Sequence, residues 1–529
     1  MGNPLQQLPV IKNLFMARFL TSTMRTSPGK AGRPEQGSAN LRSIGVVPGR
    51  RMRPILAVWR AAVLSGLTLL NAACGSLSGL NPLGSSKPPV GQPGHVQGFL
   101  GAVVADEPRA ALIGRDVLSL GGNAADAATA IGLALTVTLP SRASLGAGGA
   151  CLAYSPGAKS VNGGVPQAIM FLPRPPAQEG ASADRPAALP MIARGLYLLH
   201  ARYGSRPFES LVVPAERMAR FGIPVSRALA NDLSVVAGPL LADPAAAAVF
   251  SRNGAVLKEG DPLVQVDLAA TLTQLRVAGV GDLYQGTLAR RLAQASALVG
   301  GPMTFDDLRR ALPGLADPLI EPWHSDKVAF LPPPADGGLA AAAALETLRQ
   351  QPNDDSGAAA RALAVAARWR EGGVTAEALL KTANLPQAGL PPLPASTTWA
   401  ALDRNGNAVV CAASMGNLFG TGRIVPGMGF LLAASPASVP PPLYAVALAW
   451  NANLQAFRAE VGGSGQAGAA LAAAAAMANT LRTGAPMPVA VPDPGRANVI
   501  GCPGYLPGEQ GTCRFATDPR GAGLAVGGS

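Results

Sequence analysis

Charge is scarce in this chain. Asp, Glu, Lys and Arg make up 14% of its 529 residues, whereas 48% are hydrophobic. A disordered chain needs the opposite balance, so a packed protein is expected. Histidine is scarcer still, limited to His95, His200 and His324. No Cys/His spacing suits a metal, and neither a metal nor a cofactor is expected. Aromatics are 5%, and no Lys/Arg stripe with interleaved aromatics appears. The net charge of +12 therefore does not indicate nucleic acid. Residues 1–73 carry +9 of it, from ten Lys/Arg against Glu35 alone, which leaves +3 for the rest. No nucleic-acid partner is expected.

Long apolar runs are also missing from the basic end. Ala61–Ala73 is apolar or small apart from Ser65, Thr68 and Asn71. As a helix it would reach only about 20 Å, too short to cross a bilayer. With the basic segment Met52–Arg60 before it and small residues after it, 52–73 reads as a secretory signal. Cys74 follows Ala72-Ala73 as in a bacterial lipoprotein box, which implies a lipid anchor on Cys74 and a periplasmic or cell-envelope location. Asn71 stands where such a box usually has Leu, so an ordinary secretory signal is the other reading. Residues 1–51 read as a disordered or mis-started extension, and 74–95, rich in Ser, Gly and Pro, as a tether.

What is abundant is small residues, with 63 glycines and 49 prolines beside many alanines. The length suggests two to four domains. Gly101–Ala105 reads as a buried strand and Ala110–Leu120 as a helix. Asn123 follows Gly121-Gly122 and can cap a helix over Ala124–Val137, whose small apolar residues predict burial all round. A glycine turn at 143–149 leads into the strand Ala150–Tyr154. Helices are expected over Met191–Tyr203 and Pro207–Phe221, and an alanine-rich one after Gly338. Residues 352–395 read as a linker. Strands follow at Trp399–Leu402, Ala408–Ser414, Gly429–Ala433 and Tyr444–Trp450, then a helix at Ala467–Leu481.

Six pieces fall in one order: Gly101–Ala105, Gly121–Ala128, Tyr284–Gly286, Pro333–Gly338, Gly406–Val409 and Asp518–Arg520. In that order they resemble the γ-glutamyltranspeptidase family of self-cleaving N-terminal-nucleophile hydrolases. The resemblance implies an α/β, four-layer αββα sandwich. It makes 96–351 like the large subunit and 396–529 like the small one. It also implies an amidohydrolase or acyl transferase acting on a small amide or peptide.

In that family the chain cuts itself before a Thr, whose freed amine then serves as base for its own hydroxyl. Counting back from Asp403–Val409 without a gap puts Ser396 at the nucleophile, with Thr397 after it. A one-residue deletion would put Thr397 there instead. A slip inside a strand would turn every side chain to the other face, which favours Ser396. Ser414 stands at the family's supporting Thr. Gly465 and Gln466 stand at the turn whose amides hold the oxyanion. The γ-glutamyl pocket is where the pattern departs. Leu172 replaces the family's Arg, with Arg174 two residues late. Gly416 replaces the family's Asn, with Asn417 displaced by one. The family's acidic pair becomes Ala433–Ala437, and Tyr444-Ala445 replaces a Ser-Ser. An Arg and a paired Asp would each contribute roughly 1.5 to 3 kcal/mol to a zwitterion. Losing both weakens binding on the order of a hundredfold to ten-thousandfold. A catalytically degenerate envelope scaffold or binding protein is therefore the alternative function. Cys502 and Cys513, in a Gly/Pro-rich loop, are expected to close a disulfide ring. Cys151 and Cys411 are expected to be plain buried thiols.

Overall fold

In a computed structural model of the chain, residues 99–177 and 184–528 are described. The suggested signal, the tether and Cys74 lie outside them. Thirteen strands form two stacked antiparallel sheets. They are β1 (Gly101–Ala105), β2 (Gly148–Tyr154), β3 (Gln167–Phe171), β4 (Gly314–Ala316), β5 (Leu319–Trp323), β6 (Asp326–Phe330) and β7 (Thr397–Asp403). The others are β8 (Ala408–Ser414), β9 (Ala445–Asn451), β10 (Ala456–Ser464), β11 (Arg496–Leu506), β12 (Arg514–Thr517) and β13 (Leu524–Gly527). The first sheet runs β13-β1-β7-β8-β2-β3-β4, and the second β12-β11-β10-β9-β6-β5.

The central strands are buried on both faces, and the two-residue period assigns those faces to different layers. Val104, Leu152, Leu402 and Val410 of the first sheet meet Leu448, Phe457 and Ile500 of the second. Val103, Cys151, Trp399 and Ala401 face outward, under α1 (Pro108–Ser119), α2 (Ala124–Thr138), α3 (Ile192–Tyr203) and α4 (Phe208–Phe221). Helix α5 (Arg227–Leu241) packs on that side too. Val328, Ala447, Val461 and Val499 face α6 (Asp336–Gln350), α7 (Asp355–Glu371) and α8 (Ala469–Thr483). These are the four layers of the αββα sandwich.

Small residues set how closely these layers approach. All fifteen residues of α2 are buried. Its first turn is a reciprocal cap: the Asn123 side chain accepts from the Asp126 amide at 3.0 Å, and the Asp126 carboxylate accepts from the Asn123 amide at 3.0 Å. Trp399 donates its indole N–H to the Ala128 carbonyl at 2.9 Å, tying β7 to the same helix. On the other side a Cβ placed on Gly463 would lie 2.1 Å from the Ala469 carbonyl oxygen, so glycine is what lets α8 lie on β10.

Three expectations need correction. Residues 352–395 are not one linker. Asp354 caps α7, and Ala358, Ala362 and Ala366 are buried at four-residue spacing among the α6 and α8 core residues, so polar residues on the free face disguised a helix. A further helix covers Ala376–Lys381, which leaves 352–354, 372–375 and 382–396 irregular. Gly429–Ala433 is not a strand, and makes isolated bridges from Leu431 to Ile424 and from Leu432 to Gly146. Cys151 and Cys411 are not separate thiols. They are opposed in the β2–β8 register and joined by a disulfide across a 4.0 Å Cα separation. A second disulfide joins Cys502 and Cys513.

Between the sheets lies one unusual group. Glu460 is fully buried, and neither carboxylate oxygen has a hydrogen-bond partner among the described residues. Burial, then the charge of Asp403, pushes its pKa well above the usual carboxylate value, which favours the protonated form in the folded protein. In the unfolded chain it ionises near pH 4.5. Its stabilisation is therefore complete below that pH and is lost as pH rises towards the folded value. Urea unfolding from pH 4 to 8 should show a flatter loss of stability in Glu460→Gln than in the wild type. The expected difference in slope is up to about 1.4 kcal/mol per pH unit. Identical slopes would mean that Glu460 ionises inside the fold.

Candidate active site

The candidate nucleophile segment enters the first sheet at its open end. Ser396 precedes β7 and is 1% exposed. Arg142 Nη1 donates to the Ser396 carbonyl at 3.4 Å. Arg142 also grips Asp232 of α5 through Nε and Nη2, both at 2.7 Å, and Ser141 adds a third bond to Asp232 at 2.7 Å. Burial opposes the guanidinium charge, but Asp232 and Asp106 outweigh it and hold the Arg142 pKa above its ordinary value.

Thr397 and Thr398 are held by a second cluster. Asp106, just beyond β1, accepts from Thr397 Oγ1 at 3.0 Å and from the Thr398 amide at 2.9 Å. Asn498 of β11 donates to Asp106 at 2.8 Å and to Thr398 Oγ1 at 2.9 Å. Thr398 lies between the sheets, where a Cβ on Gly462 would sit 2.7 Å from its own Cβ. Thr397, one residue earlier, carries its hydroxyl on the opposite face and spends it on Asp106.

Ser414 closes the arrangement from β8. Its hydroxyl donates to the Ala395 carbonyl at 2.7 Å and accepts from the Gly416 amide at 3.1 Å. That carbonyl belongs to the peptide bond immediately before Ser396.

The glycine turn after β10 stands opposite. Gly465 (φ 102°, ψ 57°) and Gln466 (φ 54°) are both left-handed and turn the chain from β10 towards α8. A Cβ at Gly465 would strike the Pro494 carbonyl oxygen at 2.0 Å, so glycine is required there. Gln466 holds this conformation against a cost of about 1 kcal/mol for a non-glycine residue. Ala395, Asp106, Arg142, Ser464, Gly465 and Gln466 all line one cleft of about 570 Å³. Ala395, the residue before Ser396, and the glycine turn, far apart in sequence, therefore line the same space.

The remaining predicted residues divide. Tyr444 is buried in the wall of a second, smaller pocket that also contains Gly416. Its hydroxyl approaches the Gly148 carbonyl at 3.5 Å, and burial pushes its pKa up. Arg174 is exposed at that pocket's edge. Asn417 is exposed and lines a neighbouring cavity with Phe419 and Thr421. Sequence reasoning missed Asp106, Arg142, Asp232 and Asn498. Only Asp106 adjoins a recognised motif, as the residue after Gly101–Ala105. Among the described residues no group of His, Cys, Asp and Glu could hold a metal ion.

Residues 110–369 match the family model described as gamma-glutamyltranspeptidase. That stretch, just under half of the chain, is of the γ-glutamyltranspeptidase family. The glutathione hydrolase proenzyme of Bacillus subtilis (strain 168) is 33% identical over 262 residues, covering 47% of this chain and 44% of that protein. The glutathione hydrolase proenzyme of Escherichia coli (strain K12) is 32% identical over 259 residues, covering 47% and 45%. The chain thus spans about half the length of the curated relatives it matches. The crystal structure of cephalosporin acylase from Bacillus halodurans superposes with a TM-score of 0.66 at 20% identity, over 84% of this chain and 99% of that one. That likeness shows the fold across both halves. Ser396, Ser414 and the glycine turn lie outside the residues matched by the family model.

Proposed function

We propose that this family member is an autoprocessed amidohydrolase or acyl transferase that cuts itself between Ala395 and Ser396. One observation carries the choice of bond: the Ser414 hydroxyl donates to the Ala395 carbonyl at 2.7 Å. A donor at that distance polarises the carbonyl and supports the charge that builds on its oxygen under attack. The Ser396 hydroxyl adds to that carbon, and the C–N bond breaks to give an ester and a free Ser396 amine. Water hydrolyses the ester, leaving an Ala395 carboxylate and a free Ser396 hydroxyl. The new amine then serves as general base for the same hydroxyl against a γ-glutamyl or related amide. No histidine is needed, and neither His200 nor His324 lines the cleft. The Gly465–Gln466 amides are the oxyanion donors of this reading.

Thr397 is the second choice of nucleophile, because the carbonyl that Ser414 polarises belongs to the bond before Ser396 and not to the bond before Thr397. Two relatives named proenzymes agree with self-cleavage. The deciding measurement is the N-terminus of the smaller product, expected to be Ser396; a chain that stays whole on a reducing gel would favour the scaffold reading. We also place the protein in the cell envelope, anchored through lipid on Cys74. Palmitate labelling should vanish in Cys74→Ala, and equal labelling of both forms would remove the anchor.

A further inference from the structure

The positions where the sequence departs from the family's charged pattern converge on one pocket. Leu172, Gly416, Ala434, Pro436 and Tyr444 line a cavity of about 300 Å³ together with Met170. Its remaining wall is largely proline and Val439, and Arg174, exposed at its edge, is its single charged lining residue. The substitutions therefore do not scatter. They replace a charged surface with a continuous apolar one.

The pocket also adjoins the reacting bond. Gly416 in its wall donates to Ser414 Oγ, which donates to the Ala395 carbonyl. Tyr444 approaches Gly148, and Gly148 pairs with Ser414 across the sheet. The Ala434 amide is fixed on the Met415 carbonyl at 2.8 Å. The wall is thus built on the two residues that follow Ser414. A group seated there is held beside the carbonyl site, where the acyl half of an amide belongs.

We infer that this pocket takes an uncharged, apolar acyl chain, so that the enzyme acylates Ser396 with fatty or similar acyl groups in place of a γ-glutamyl zwitterion. This inference rests on the self-cleaving hydrolase reading above. A zwitterion would leave its ammonium and carboxylate without partners in such a wall. An alkyl chain gains affinity with every buried methylene, about three- to fourfold each. At about 30 Å³ per small group the cavity holds roughly ten such groups.

The test is a series of p-nitroanilides offered to the processed protein: propanoyl, butanoyl, hexanoyl, octanoyl and γ-glutamyl. kcat/KM should climb about threefold per methylene through the series, with the γ-glutamyl anilide at least a hundredfold below hexanoyl. Leu172→Arg and Val439→Asp should each lower hexanoyl turnover tenfold or more. A γ-glutamyl anilide that is turned over best, with no response to chain length, overturns the inference and leaves the hydrolase reading intact. Should the chain never process, the hydrolase reading falls, and calorimetry on the intact protein decides the pocket. Hexanamide binding that Leu172→Arg weakens tenfold supports it; L-glutamine binding more tightly than hexanamide, or no binding of hexanamide, overturns it.

Discussion

Ser396→Ala should leave the chain whole. The wild type is expected to give two fragments, the second beginning at Ser396. Removing a nucleophile of this kind costs on the order of 10⁶ in rate, enough to abolish processing on any laboratory timescale. The gel must be reducing. Cys151 lies before the proposed cut and Cys411 after it, so their disulfide holds the fragments together until it is broken. A non-reducing gel would show one species whether or not the peptide bond had been cut. Thr397→Ala should still process, since the carbonyl that Ser414 holds lies in the bond before Ser396. If Ser396→Ala is cut normally and Thr397→Ala is not, the nucleophile has been placed one residue early.

Ser414→Ala should slow self-cleavage by about a hundred- to a thousandfold, the usual loss when one donor to a developing oxyanion is removed. The substitution deletes the bond to the Ala395 carbonyl and leaves the Gly416 amide without its acceptor. Ser414→Thr keeps the hydroxyl and should restore most of the rate. The readout is the half-time for appearance of the Ser396 N-terminus by mass spectrometry. Cleavage of Ser414→Ala at the wild-type rate would show that the 2.7 Å contact belongs to the resting chain and not to the reaction.

Much of this site is legible in sequence because it follows short-range rules. Asn123 three residues before Asp126 announces its cap. The run from Asp403 to Val409 fixes a hairpin, and counting along it reaches Ser396 without the structure. Gly463 and the alanines of α8 signal close approach. The rest is long-range. Asp106, Arg142, Asp232 and Asn498 come from four segments, and of these only Asp106 adjoins a local pattern. The Cys151–Cys411 pair depends on the β2–β8 register, which links residues 260 positions apart. Helix α7 was hidden because its buried stripe is alanine, which carries little hydrophobic signal, and a proline-rich stretch follows it.

The strand order has a further consequence for a processed molecule. A cut before Ser396 puts β7 to β13 on one fragment and β1 to β6 on the other. In the first sheet β1 is then inserted between β13 and β7, flanked on both edges by the opposite fragment. Neither piece owns a complete sheet. The two halves are thus woven, not docked, and must reach their final shape as one continuous polymer before the bond is opened. Made as separate polypeptides, each would expose strand edges built for the other and would be prone to clump before they could interlace.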